Sequence, residues 1–265
     1  MNENIHFFSW DDRRDIAHPG DYEATLTFCA EHFASCAKEA IKNHGFFAAA
    51  LSGGSTPKAI YQKVTHPPYS DELDWSKFIL FWSDERNVPP TDPKSNFWMA
   101  MEAGFKSVSI PKEQIFRMEA ESQIETHAVK YEQAMRDLLG NRPFDLMMLG
   151  VGTDGHTASL FPNTTALQEK EKWVVANYIP QAKSHRMTLT YPCINRSINT
   201  VIYALGAQKQ QIINDVFLKT TEPPFPASLA GTPTSKALWI IDSDAGTTLL
   251  ESLPPEKIHN RSQAG

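Results

Sequence analysis

Short unbroken apolar runs alternate along this chain with longer segments in which apolar residues recur at mixed three- and four-residue steps. The first pattern suits strands buried on both faces and the second suits amphipathic helices. From Tyr22 to about Asn43 the positions Leu26, Phe33, Ala37 and Ile41 mark a helix, and Gly45 supplies its stop. Phe46 to Leu51 is a buried strand, and Gly53-Gly54-Ser55-Thr56 turns it into a helix opened by Pro57. Phe78 to Trp82 is a second strand, leaving into Ser83-Asp84-Glu85-Arg86, and Ser95 caps a helix running through Phe97, Met101 and Phe105. Glu121 to Leu139 is a long helix ended by Gly140. Further strands are expected over Phe144 to Leu149, Trp173 to Ile179, Met187 to Tyr191, Val201 to Leu205 and Ala237 to Ile241, with a helix from Ala207 to about Lys219 between the last two.

Strands and helices alternating at this spacing predict an α/β fold, an open, mostly parallel sheet with helices on both faces. The one linker-like stretch, Thr220 to Pro226 with three prolines, lies too near the C-terminus to separate a second domain, so residues 1–265 are read as a single domain. With 41% apolar residues the chain has ample material for a core. Its net charge of −6 argues against nucleic acid or an anionic membrane surface as the main partner, while leaving room for a local basic site. Cys29, Cys36 and Cys193 form no CxxC pair and make an odd count, which fits a reducing compartment, the cytoplasm by default; Cys193 reads as a buried structural thiol. Asn2, Glu3 and Asn4 stand where an export signal needs basic and apolar residues, and no stretch approaches a membrane span.

In parallel sheets ligands gather beyond the carboxyl ends of the strands, which directs attention to three loops. In the first, LSGGSTP, the glycines Gly53 and Gly54 and the hydroxyls of Ser55 and Thr56 precede a helix, so backbone N–H groups and side chains can converge on an anion such as phosphate. Taken alone the loop reads equally well as a tight turn with a capping hydroxyl. The spacing GxxxxGK[ST] is absent. The second loop, Asp84-Glu85-Arg86, carries a guanidinium suited to phosphate or carboxylate, or else is a solvated charge cluster.

The third loop, Gly150 to Pro162, contains a literal GxGxxG, with Glu169 and Glu171 at the distance of a ribose-binding acid. A dinucleotide site needs a long helix after the third glycine, yet Pro162 follows seven residues after Gly155, so the match is read as false and no nicotinamide cofactor is expected. His156, with Asp154 two residues earlier, fits a general base better. The other histidines form no HExxH and have no clustered cysteines, which argues against a metal site, and no GxSxG elbow offers a serine nucleophile. Lys183, His185, Arg186 and Lys209 add cations near strand and helix ends, and together they suit a polyanionic ligand.

LSGGSTP, WSDERNVP with the downstream Ser95-Asn96, and GVGTDGHTASLFP resemble, in order and spacing, the 6-phosphogluconolactonases of the glucosamine-6-phosphate isomerase/6-phosphogluconolactonase family. Weaker likeness continues through Lys183 to Thr190, Gly206 to Lys209, Phe225 to Ser228 and Leu238-Trp239. The resemblance implies a single Rossmann-like α/β domain and hydrolysis of a phosphorylated sugar lactone with no metal or cofactor, by a monomer or weak homo-oligomer. In the related deaminases the histidine loop carries a glutamate where this chain has Phe161, and a tyrosine follows the Asp-Glu pair where this chain has Arg86, which favours ester hydrolysis over amine chemistry. The implied roles are His156 as base for water, Arg86 or loop N–H groups for the oxyanion, and Gly53, Gly54, Ser55 and Thr56 with Lys183 and Arg186 for the phosphate, Lys209 standing in reserve. Asp84 is expected to hold Arg86, and Asp154 to shape the histidine loop. A non-catalytic sugar-phosphate sensor is the remaining alternative, weakened by the retained histidine and arginine.

Overall fold

The computed structural model describes residues 5–253, so Asn2, Glu3 and Asn4 lie outside the described residues. In chain order the elements are β1 (His6–Ser9), β2 (Arg14–His18), α1 (Tyr22–His44), β3 (Phe47–Leu51), α2 (Ser55–Val64), β4 (Phe78–Trp82), β5 (Asp84–Arg86), α3 (Asn96–Glu102), α4 (Ile124–Leu139), β6 (Leu146–Gly150), β7 (Val174–Ile179), β8 (Ser184–Leu189), β9 (Asn199–Ala204), α5 (Gln210–Leu218), β10 (Ala237–Ile241) and α6 (Ser243–Glu251), joined by single helical turns and loops. Asp21 caps α1 by accepting from the Ala24 N–H, and Gly45, at φ +91°, ends it by donating to the Ile41 carbonyl. Ser95 caps α3 through the Trp98 N–H.

A seven-stranded sheet runs β1-β2-β10-β9-β6-β3-β4, parallel throughout except for the β1–β2 pair, with helices on both sides. Its last two strands are buried along their whole length, even β4 at the sheet's edge: β3 is Phe-Ala-Ala-Ala-Leu and β4 is Phe-Ile-Leu-Phe-Trp. The three alanines of β3 leave room for large neighbours, and Phe33 of α1 packs edge-on against Phe47, with ring centroids 5.4 Å apart. Phe81 stacks on Phe116 at 4.8 Å and Trp82 meets Phe97 edge-on at 5.2 Å, so the strand that leads into the second loop is anchored by aromatic contacts.

The mostly parallel sheet expected from the sequence is present, but two of the expected strands lie outside it. β7 and β8 leave it and form a second, antiparallel sheet with β5 in the order β5-β8-β7. Only four residues separate Ile179 from Ser184, which pair directly, whereas a parallel crossover needs a dozen or more. β5 follows β4 after the single residue Ser83, so this chain segment passes from one sheet to the other and sets Arg86 opposite Arg186. The N-terminal β1–β2 pair, where no strand is expected from the pattern, extends the main sheet beyond β10. The polar His6–His18 segment alternates poorly, because its outer strand is only partly covered.

Candidate active site

The carboxyl ends of β9, β6, β3 and β4 lie side by side in the sheet, and their loops surround a cleft of about 340 Å³. It is lined by residues 52–57, Asp84, Arg86, residues 150–152, His156, Ala158, Ser159, Phe161, Arg186, Tyr203 and Lys209.

The first wall is the turn from β3 into α2. A Cβ on Gly53 would lie 1.9 Å from Oδ1 of Asn96, so only glycine permits this approach, and Gly54 takes φ +108°. Gly54 is the N-cap and gives no side-chain bond, which leaves the first N–H groups of α2 without a side-chain acceptor. Ser55 is exposed and Thr56 buried at this helix start. The Tyr61 hydroxyl accepts from the Ser52 N–H at 2.9 Å and donates to its carbonyl at 2.8 Å, fixing the turn from below.

The second wall is a buried polar network. Glu85 accepts from the Ser95 hydroxyl and from the N–H groups of Asn96, Phe97 and Arg86 at 2.7–2.9 Å, tying the start of α3 to β5. Burial pushes its carboxyl up, against the pull of these hydrogen bonds. Asp84 accepts from the Ser159 hydroxyl at 2.6 Å and from the Asn96 side chain at 3.0 Å. The expected grip of Asp84 on Arg86 is therefore corrected: Asp84 clamps the histidine loop to α3, and Arg86 is steered by the Lys94 carbonyl, to which it donates at 2.6 Å. Arg86 Nε is buried with no partner among the described residues. Across the ladder, Arg186 is partly buried; burial and then the Arg86 charge push its guanidinium below the ordinary arginine range. Like charges directly opposite on neighbouring strands repel, and an anion between them relieves the repulsion.

The third wall carries the histidine. His156 Nδ1 meets Asp154 Oδ1 at 2.5 Å, and the same oxygen accepts from the His156 backbone N–H at 3.1 Å. Burial works against the Asp154 charge, but its bonds to His156 outweigh this and hold the carboxyl below the usual carboxylate value. The imidazole stacks on Phe161, with centroids 3.8 Å apart and planes 17° from parallel. Gly152 makes room for the ring, since a Cβ there would sit 2.1 Å from Nδ1. Gly155, at φ +80°, lies against Phe225. Instead of opening a helix, this glycine run folds back through Gly152 N–H to the His156 carbonyl and an isolated bridge from Thr157 to Leu160. The GxGxxG spacing thus serves a histidine loop and lacks the helix a dinucleotide site requires.

Lys209 reaches the cleft from beyond β9 and donates to the Val151 carbonyl at 2.8 Å, and burial pushes its ammonium below the ordinary lysine value. Lys183 is elsewhere. It occupies the tip of the β7–β8 turn at φ +47°, exposed and outside the cleft lining, so the expectation that it stands with Arg186 in the site is corrected, and of the two lysines it is Lys209 that lines the cleft. The hairpin explains the error: a residue before β8 belongs to a turn, not to a βα loop. His185 is exposed beside Tyr178. Asn96, Ser159 and Tyr203 line or brace the cleft without having been singled out for a role; only the Ser95-Asn96 pair downstream of the arginine loop gave a signal. The thiols of Cys29, Cys36 and Cys193 are buried and free, and burial raises each, Cys36 to about 12. Among the described residues no helix is long and apolar enough to cross a membrane, and no cluster of three or more His, Cys, Asp or Glu is arranged to hold a metal ion.

Comparison with known proteins matches this architecture. Residues 20–239 fit the family described as glucosamine-6-phosphate isomerases/6-phosphogluconolactonase. A protein of Chlamydia pneumoniae named 6-phosphogluconolactonase is 40% identical over 223 residues, covering 83% of this chain and 84% of that one. The crystal structure of a 6-phosphogluconolactonase from Thermotoga maritima superposes with a TM-score of 0.75 at 26% identity, covering 87% of this chain and 100% of that chain. A monomeric glucosamine-6-phosphate deaminase shares the fold at a TM-score of 0.74 and 19% identity, covering 88% of this chain and 98% of its own, so the fold alone does not separate the two reactions. A match running through all three loops of the cleft and over more than half of the sequence means that the chain belongs to the glucosamine-6-phosphate isomerase/6-phosphogluconolactonase family.

Proposed function

We propose that this protein hydrolyses 6-phospho-D-glucono-1,5-lactone to 6-phosphogluconate, with His156 activating water and no cofactor. The observation that carries the proposal is the His156–Asp154 pair at 2.5 Å, facing a cleft that also holds Arg86, Arg186 and Lys209. With Nδ1 committed to the carboxylate, Nε2 is the ring atom left to accept a proton, and Asp154 stabilises the imidazolium that results. The Phe161 stack fixes the plane of the ring.

In this mechanism the 6-phosphate sits among the uncapped N–H groups of α2, the opposed guanidiniums of Arg86 and Arg186, and Lys209. Water gives one proton to Nε2 while its oxygen bonds to C1 of the lactone, and loop N–H groups stabilise the tetrahedral oxyanion, since Arg86, set opposite Arg186, is taken up by the phosphate. The C1–ring oxygen bond then breaks, and the ring oxygen takes the proton back from His156. The product carboxylic acid ionises at neutral pH and releases a proton to solvent. Where the deaminases of the resemblance carry a glutamate, Phe161 offers no carboxylate to the histidine, which supports water over amine chemistry. The same reading places the protein in the cytoplasm as a monomer or weak homo-oligomer acting on a small phosphorylated lactone, with neither nucleic acid nor membrane as partner.

The test is a proton-release assay on purified protein with freshly made lactone, against a no-enzyme control, paired with ammonia release from glucosamine 6-phosphate. The proposal expects rapid proton release and no ammonia. Ammonia release without acceleration of lactone opening would overturn it.

A further inference from the structure

Asp242 lies beyond the end of β10, outside the cleft, and is fully buried. Its carboxylate caps α6 by accepting from the Ala245 N–H at 2.9 Å. It also reaches across to the neighbouring strand's loop, where both oxygens accept from the Gly206 N–H, at 3.0 and 2.9 Å. Gly206 takes φ +90°, and a Cβ there would lie within 2.6 Å of the Gln208 side chain. From Gly206 the chain makes a single helical turn, closed by the Lys209 N–H to the Gly206 carbonyl at 2.9 Å, and Lys209 extends its ammonium to the Val151 carbonyl of the histidine loop. No salt bridge to Asp242 occurs among the described residues, so a buried carboxylate is committed entirely to N–H donors of two elements.

We infer that Asp242 is a positioning residue: its carboxylate fixes the Gly206 turn and thereby aims Lys209 at the anionic group of the substrate. A cap alone requires one acceptor oxygen, which Ser or Asn supplies as well as Asp. The second oxygen, turned on Gly206, goes beyond what capping needs. Asn at this position keeps the cap but sets an amide N–H₂ against the Gly206 N–H, and Ser keeps the cap but is too short to reach Gly206. The inference rests on the proposed placing of the substrate phosphate at Lys209.

The test is a double-mutant cycle of Asp242→Ser and Lys209→Ala, read as KM and kcat for lactone hydrolysis and as the affinity for inorganic phosphate by calorimetry; Asp242→Asn serves as the second variant should the serine protein fold poorly. Lys209→Ala should raise KM and weaken phosphate binding on the order of ten- to a hundredfold, the loss of one charged hydrogen bond. Asp242→Ser and Asp242→Asn should each raise KM about threefold or more with kcat little changed, and should add nothing in the Lys209→Ala background. Losses that multiply in the double variant, or an unchanged KM in both Asp242 variants, refute the positioning role while leaving the lactonase reading intact. Phosphate calorimetry runs the same cycle without turnover, so it decides the role of Asp242 even in a protein that fails to open the lactone.

Discussion

Substituting Gly152 by alanine perturbs the proposed base without touching its chemistry. The added methyl would lie 2.1 Å from His156 Nδ1, 2.2 Å from Cε1 and 2.8 Å from Asp154 Oδ1, where ordinary van der Waals contact begins at 3.4 Å. The imidazole must therefore move by about 1.3 Å or more to restore contact distance. Gly152 is not among the glycines of positive φ, so alanine imposes no backbone strain and the effect falls on the ring and on the Asp154 carboxylate beside it. A shift of that size breaks the 2.5 Å bond to Asp154 and slides the ring off Phe161. Misplacing a reacting group by about 1 Å costs roughly 10²-fold, equivalent to about 2.7 kcal/mol of transition-state stabilisation. The proton-release assay should accordingly show kcat reduced about a hundredfold in Gly152→Ala, with a melting temperature close to that of the unmodified protein because the loop edge faces the open cleft. Undiminished kcat in a folded Gly152→Ala protein would refute the claim that the observed pose of His156 is the working one.

Other predictions follow from the opposed charges and the buried network. Arg186→Met removes a like charge set against Arg86, so its melting temperature without ligand should equal or exceed the original, while the upward shift given by saturating 6-phosphogluconate should shrink; scanning calorimetry with and without ligand reads both, and an unchanged ligand shift contradicts the bracketing role. Asp84→Ala strands the buried Ser159 hydroxyl, while the Asn96 amide keeps its 2.9 Å bond to the residue-84 carbonyl, so the expected cost is about 1–3 kcal/mol for the one unsatisfied group, measurable by urea unfolding. Burial lowers the Lys209 pKa, so in the free protein its charge is lost at lower pH than that of an ordinary lysine as pH rises. Binding of 6-phosphogluconate should weaken correspondingly as pH rises, and Lys209→Arg, which stays charged, should flatten that decline in a calorimetric pH series.

Much of the fold follows from local pattern because β3, β4 and β10 are short and wholly apolar. The expected β4 and β10 coincide with the observed Phe78–Trp82 and Ala237–Ile241, and α1 stops at the glycine that marks its end. The errors arise where one apolar run serves two architectures. Met187 to Leu189 is fully buried, as a central parallel strand would be, yet β8 begins in the polar Ser184-His185-Arg186 and folds back on β7 after four residues. That connection length, visible in the sequence, already excludes a parallel crossover. The same hairpin carries Lys183 at its exposed tip, away from the cleft. The bond from Ser159 to Asp84 joins residues 75 apart, and the approach of Gly53 to Asn96 brings the first loop against the start of α3; neither has a local signature, because each depends on tertiary packing. The histidine loop was legible for the opposite reason, since Asp154 and His156 are two residues apart and make their contact within the loop.

The most direct measurement is the turnover of His156→Ala on 6-phosphogluconolactone, corrected for spontaneous opening and compared with the unmodified protein at equal fold integrity. Loss of a general base is expected to reduce kcat by about 10²- to 10⁴-fold while phosphate binding, carried by the arginines, Lys209 and the α2 turn, stays intact. Full lactonase activity in the folded variant would contradict the assignment of His156 as the residue that activates water.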